Sequence, residues 1–145
     1  MRFKELQIKY IKLPIVDDGR KGKLSFMEAN SHIPFNIKRI YYIYDIKDLT
    51  VIRGGHAHRT LQQVIFCLNG SFTLELDNGN EKKEIYLNKP NKGVIIGTKI
   101  WHNMKKFGKN TIIMVIVSDY YNEEDYIRNY KEFREYIKRD WGMVG

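Results

Sequence analysis

Between residues 24 and 117 the chain runs in short apolar and β-branched phrases, each broken by Gly, Asn, Asp or Pro. That spacing predicts strands at 24–29, 38–44, 62–68, 71–76, 83–87, 93–96, 102–107 and 111–117. Eight such strands imply an all-β sandwich or barrel. Asn69-Gly70 is the strongest local turn signal and predicts a type I′ hairpin between the third and fourth strands. Asp77-Asn78-Gly79-Asn80 predicts a second turn, while Pro34 and Pro90 fall in connecting segments, where a missing N–H does no harm.

The period changes after residue 121. Ile127, Tyr130, Phe133, Tyr136 and Ile137 are spaced for one face of a helix beginning near Asn122. Asn122 reads as its N-cap, with Glu123, Glu124 and Asp125 in the first turn, where the helix dipole favours negative charge. The helix is expected to pack against the outside of the β body, and Trp141 to pin the tail that follows. No repeat, linker or low-complexity tract interrupts the pattern, so a single domain over 1–145 is expected.

Composition narrows this picture. With 43% hydrophobic and 13% aromatic residues the chain is too apolar to remain disordered. The lone cysteine, Cys67, lies in an apolar run, which excludes an intrachain disulfide and a cysteine-built zinc site and suits a reducing compartment. The longest apolar stretch, 112–117, is far short of a membrane span, and Met1 to Glu5 carry no signal-peptide pattern. A cytoplasmic protein with no membrane partner is expected. A net charge of +8 suggests an anionic partner. Nucleic acid is disfavoured, because the basic residues are scattered and those of the final helix alternate with Glu.

The chemistry concentrates at Arg53-Gly54-Gly55-His56-Ala57-His58. Strand residues two apart share a face, so His56 and His58 project together, into the interior if the sheet closes. Paired imidazoles ligate a metal or move protons near neutral pH; otherwise they are two solvated side chains on a surface strand. His102, after Trp101, places a third imidazole from a later strand.

His-x-His followed by a later single His resembles the two motifs of the cupin superfamily, over about residues 53–107. Where metal-binding cupins carry a Glu after His-x-His, this chain has Gln62 and Gln63, which removes the carboxylate from a two-His-one-carboxylate set. More closely, Ile33-Pro-Phe-Asn-Ile-Lys-Arg-Ile-Tyr-Tyr-Ile, Arg53-Gly-Gly-His-Ala-His, Gln63-Val-Ile-Phe-Cys-Leu-Asn-Gly-Ser, Trp101-His and Ser118-Asp-Tyr-Tyr together resemble the sugar 3,4-ketoisomerases. These cupin enzymes act on dTDP-4-oxo-6-deoxyglucose in making 3-amino-3,6-dideoxy sugars for surface glycans. The resemblance implies a jelly roll, a homodimer with exchanged N-terminal strands, a dTDP-sugar substrate and no required metal or other cofactor.

On that resemblance His56 is the candidate for proton transfer at carbon and His58 for proton transfer between the sugar oxygens. Tyr42 is a candidate to stabilise the enediolate, or else a core or interface tyrosine. Arg53 and Arg39 are expected at the diphosphate, with Arg20 or Lys21 as a further phosphate contact, since guanidinium forks match such groups. Trp101 and His102 are expected to line the pocket, although a tryptophan there is more often simply packing. Three other readings compete: a 3,5-epimerase on the same class of substrate, a non-catalytic sugar-binding cupin, and a metal-dependent cupin oxygenase.

Overall fold

The computed structural model describes residues 5–140; Trp141 lies outside them. The strands in chain order are β1 (Lys9–Lys12), β2 (Ile15–Asp17), β3 (Lys23–Ser25), β4 (Arg39–Ile43), β5 (Arg53–His58) and β6 (Gln63–Asn69). There follow β7 (Phe72–Asp77), β8 (Lys82–Leu87), β9 (Lys92–Ile96), β10 (Trp101–Lys105), β11 (Ile112–Val117), β12 (Tyr126–Ile127) and the helix α1 (Tyr130–Asp140). Two five-stranded antiparallel sheets form, one ordered β1-β9-β6-β11-β4 and the other β12-β5-β10-β7-β8, with β2 and β3 as a separate ribbon. Two facing sheets whose connections cross between them make a jelly roll.

The alternating residues of both inner faces meet in the main core, which includes Ile65, Phe72, Leu74, Val94, Ile113 and Val115. A second cluster, with Val64, Phe66 and Ile116, lies on the outer face of the first sheet under Ile33 and Phe35. Covered on both faces, β6 reads as a continuous apolar run instead of an alternating one. A third cluster, Ala57, Trp101, Ile127, Phe133 and Ile137, joins the outer face of the second sheet to α1.

Three expectations are corrected. Asn69-Gly70 does not close a hairpin, because β6 pairs with β9 and β11 while β7 pairs with β8 and β10. The turn instead carries the chain from one sheet to the other. Gly70 has a positive φ of 76°, and a Cβ there would stand 2.5 Å from the Thr111 hydroxyl, so glycine is required by close approach. The side chain of Asn69 donates to the Asn110 carbonyl, fixing the crossing. The turn at 77–80, by contrast, does join the paired strands β7 and β8.

The strand expected at 24–29 ends at Ser25, and the helix expected from Asn122 starts only at Tyr130. Asn122 caps a single 3-10 turn, Glu123–Asp125, by accepting from the Glu124 N–H. Tyr126 and Ile127 then pair with His58 and Ala57 as a strand. Local spacing is overridden by long-range contacts: Asp125 is bound to His58 and Thr60, and Ile127 is wholly buried. Asn129 is the N-cap of α1, its side chain accepting from the Glu132 N–H at 3.0 Å. Among the described residues no helix is long and apolar enough to cross a membrane.

Candidate active site

The site lies at the start of the second sheet, where β5 and β10 run side by side with His102 directly opposite His56. His56, Ala57 and His58 alternate: Ala57 packs outward beneath α1, and the two imidazoles point into the sandwich. His102 joins them, its ring centroid 4.5 Å from that of His56, while its neighbour Trp101 faces the other way. Trp101 rests edge-on to Tyr130 and against Phe133. It is a packing residue beneath α1 and does not wall the pocket, because adjacent strand residues take opposite faces.

Simple alternation would put Arg53 and His56 on opposite faces too. A β-bulge prevents this: His102 opposes His56, Asn103 opposes Gly54 and Met104 opposes Arg53, leaving Gly55 as the extra residue. Gly54 and Gly55 both hold positive φ, and a Cβ on Gly54 would come within 2.8 Å of the His102 carbonyl. The bulge thus turns Arg53 to the side of the histidines, where its charge bears on Tyr41.

Across the sandwich, β4 presents Arg39 and Tyr41 inward, and Tyr42 outward with 61% of its surface exposed. Tyr42 therefore sits on the outer face, opposite Met114 of β11, and its neighbour Tyr41 takes the pocket-facing position. Burial, reinforced by Tyr126, pushes the Tyr41 hydroxyl up to about 12, so it is a donor and not a phenolate. The Arg39 guanidinium lies 5.3 Å from the Tyr41 ring and 5.6 Å from that of Tyr121. Neither Arg39 nor Arg53 has an ion-pair partner among the described residues. Arg20 and Lys21 occupy the exposed tip of the β2–β3 ribbon, and neither is among the charges that bear on Tyr41, His56 or His58.

Electrostatics hold the imidazoles neutral. Burial, helped by the nearby His58 and Arg128, lowers His56 to about 4. Burial also lowers His58, against the pull of Asp125, and lowers the fully enclosed His102 well below the ordinary range. His58 Nδ1 is 2.9 Å from Asp125 Oδ2, and the other carboxylate oxygen accepts from the Thr60 N–H and hydroxyl at 2.7 and 2.8 Å. Those bonds outweigh the effect of burial and keep Asp125 below the usual carboxylate range. The carboxylate fixes the His58 tautomer, with Nδ1 protonated and Nε2 turned to the pocket.

Among the described residues, three buried side-chain atoms lack a hydrogen-bond partner: Arg39 Nε, His56 Nδ1 and Gln63 Nε2. Gln63 lies beside Tyr41, whose hydroxyl approaches its Oε1 at a long 3.4 Å. All three belong to this one pocket, so its polar groups are arranged for something other than each other.

Asp125, Tyr41, Tyr121 and Tyr126 are site residues that the sequence reading did not reach. The carboxylate comes from 67 residues beyond His58 in a segment that reads as helix, and no local signal marks it. Tyr41 and Tyr42 are separable only by the parity of β4, and apolar residues on both of its faces hide that parity.

Inward histidines from two adjacent strands at one end of a jelly roll define a cupin-type site. Comparison with known proteins makes this specific. The chain belongs to the sugar 3,4-ketoisomerase family: the family model described as "FdtA: WxcM-like, C-terminal" matches residues 6–138. It is 46% identical over 134 residues to the TDP-4-oxo-6-deoxy-alpha-D-glucose-3,4-oxoisomerase of Aneurinibacillus thermoaerophilus, covering 92% of this chain and 95% of that one. A crystal structure of the 3,4-ketoisomerase QdtA from Thermoanaerobacterium thermosaccharolyticum, a mutant in complex with TDP-4-keto-6-deoxyglucose, superimposes with a TM-score of 0.87 at 39% identity. That match covers 91% of this chain and 94% of QdtA. A 3,4-ketoisomerase from Helicobacter canadensis gives a TM-score of 0.88 at 40% identity, over 92% of this chain and 99% of that one.

Proposed function

We propose that this chain is a nucleotide-sugar 3,4-ketoisomerase that moves the ketone of TDP-4-oxo-6-deoxyglucose from C4 to C3 through an enediolate. The observation that carries the reading is the set of unpartnered buried nitrogens on Arg39, His56 and Gln63, gathered with two neutral histidines in one pocket. The substrate is taken from what the relatives named above act on or bind.

The C4 ketone acidifies the proton on C3. His56, neutral and without a firm partner at Nδ1, takes that proton and becomes an imidazolium beside the enediolate. The pair of opposite charges offsets the cost of charging a buried ring. His58 accepts the O3 proton at Nε2 and delivers it to O4, while Asp125 stabilises the transient charge from the far side of the ring. Delivery to C4 of a proton from His56, after exchange with solvent, leaves the ketone at C3. Atoms balance, and no oxidant or reductant is consumed.

The Tyr41 hydroxyl takes the enediolate-stabilising role expected of Tyr42, supported by its inward position and its retained proton. Arg39 and Arg53, cations without a carboxylate partner, suit the diphosphate. The β2–β3 ribbon is exposed along both strands, and Ile15, Val16, Leu24, Phe26, Ile40 and Tyr42 are large apolar residues left uncovered. A homodimer that exchanges its N-terminal strands would cover that surface and bring Arg20 or Lys21 of one protomer to its partner.

The test is proton NMR of TDP-4-oxo-6-deoxyglucose incubated with the protein in D₂O. Deuterium at C4 of a 3-oxo product is expected. Deuterium at C3 and C5 with the ketone still at C4 would make the protein an epimerase and overturn the reading.

A further inference from the structure

The short strand β12 divides its two side chains as β5 does: Ile127 goes outward beneath α1, while Tyr126 turns to the histidines. The Tyr126 ring centroid lies 4.4 Å from that of His58 and 5.0 Å from that of His56, so one aromatic wall backs both imidazoles. Arg128, two residues on, sets its guanidinium carbon 4.2 Å from the centre of the same ring. A fork holds it there: Arg128 Nε donates to Glu123 Oε1 at 2.6 Å and Nη2 to Oε2 at 2.9 Å. The Tyr121 hydroxyl donates to Oε2 as well. Arg128 and Tyr121 together hold the Glu123 carboxyl down at about 2, so the pair is ionised at neutral pH. Both partners are about half exposed, and an ion pair so open to water adds little to stability. Its geometry instead serves the ring it covers.

We propose that Arg128 is a positioning residue of the isomerisation: forked onto Glu123, it pins Tyr126 as the wall against which His56 and His58 rest, and so sets the angle at which both meet the sugar. The link to isomerisation rests on the function proposed above; the pinning of the wall does not. Misplacing a proton-transfer group by a fraction of an ångström slows the step without removing any reacting atom. The charge of Arg128 adds a second effect. Around His56 stand His58 on its own strand, His102 on β10, Tyr126 on β12 and the Glu123–Arg128 pair, and of that pair Arg128 acts on it the more strongly. Around His58, Arg128 and Arg39 oppose Asp125. A cation beside these rings disfavours the imidazolium, so a proton taken up is readily given back, as a shuttle requires.

The experiment compares Arg128→Gln, which loses fork and charge, with Arg128→Lys, which keeps the charge but cannot grip both carboxylate oxygens while lying flat on a ring. In Arg128→Gln kcat is expected to fall about tenfold or more, with KM within about twofold of the parent value. The acid limb of kcat/KM is expected to move to higher pH in Arg128→Gln, where the cation is gone, and to stay in place in Arg128→Lys, with kcat only partly restored. The wall itself is read without sugar, by NMR of the full-length protein carrying ¹³C-labelled histidine near neutral pH. The ring signals of His56 and His58 are expected to shift in both variants as Tyr126 moves, while those of His32, which lies against Phe26, do not. Unmoved His56 and His58 signals overturn the pinning. An unchanged kcat, or a loss confined to KM, overturns the positioning role, the latter by making Arg128 a substrate contact. If the signals shift as described and the parent protein never isomerises the sugar, the pinned wall stands and the ketoisomerase reading fails.

Discussion

The two faces of the β5–β10 pair carry opposite burdens. Inward, His56, His58 and His102 form a polar cluster in which His56 Nδ1 lacks a hydrogen-bond partner; outward, Ala57 and Trp101 are sealed beneath α1 by Ile127 and Phe133. Consecutive residues thus divide between chemistry and packing, and the period of two keeps them apart. A substitution one position away should therefore change a different observable.

The sharpest way to break this comparison is His56→Asn. Loss of a placed acid–base group is expected to lower kcat by at least about 10²-fold. Urea unfolding should be little changed, and a variant that turns over normally would remove His56 from proton transfer. Trp101→Ala should do the reverse. Removing a large buried side chain is expected to cost about 3 kcal/mol or more of stability by urea titration, with kcat of the folded protein little affected.

A smaller contrast tests the same parity on β4. Tyr41→Phe removes a donor from the pocket and is expected to lower kcat about tenfold or more, whereas Tyr42→Phe should leave kcat unchanged. Equal effects would show that the dimer brings the outer face into the site.

The weakest effect is on stability against pH. His56 has an ordinary value of 6.5 and is held near 4 in the folded chain, so below about 6.5 the unfolded chain binds a proton that the folded chain refuses. Stability should fall as pH drops from about 6.5 toward 4, and His58 and His102 add to the same trend. The midpoint of urea unfolding at pH 5 is expected below that at pH 7, and replacing His56 by Asn should shrink the difference. An unchanged slope in that variant would mean that His56 is not the group responsible.

Much of this was legible in the sequence wherever one residue type carries its own geometry. His56 and His58 share a face because strands alternate, and the strands from 62 to 117 fall where β-branched runs and turn residues put them, to within a residue or two at most ends. What escaped depends on parity or on distant partners. Arg53 reaches the histidine side only through the bulge at Gly55, a route that simple alternation does not provide. Trp101 and Tyr42 take the faces away from the histidines, a consequence of strand parity that their residue types alone do not reveal. Residues 122–127 have helical spacing, yet Asp125 finds His58 and Thr60, and those bonds across the fold outweigh a weak local preference.

The crossing at Asn69-Gly70 also bears on the order in which the molecule can assemble. Because that turn sends the chain to the other sheet, β6 must wait for β9 and β11, and β5 must wait for β10 and β12. Strands that pair across long sequence separations fold slowly, over about milliseconds to seconds. Among the described strands, β2 with β3 and β7 with β8 are consecutive partners joined by short turns and can pair as soon as they leave the ribosome. The histidine cluster gains its Asp125 anchor only after nearly the whole polypeptide has been made, so a chain truncated before residue 125 would lack an oriented His58 however well its first sheet had formed.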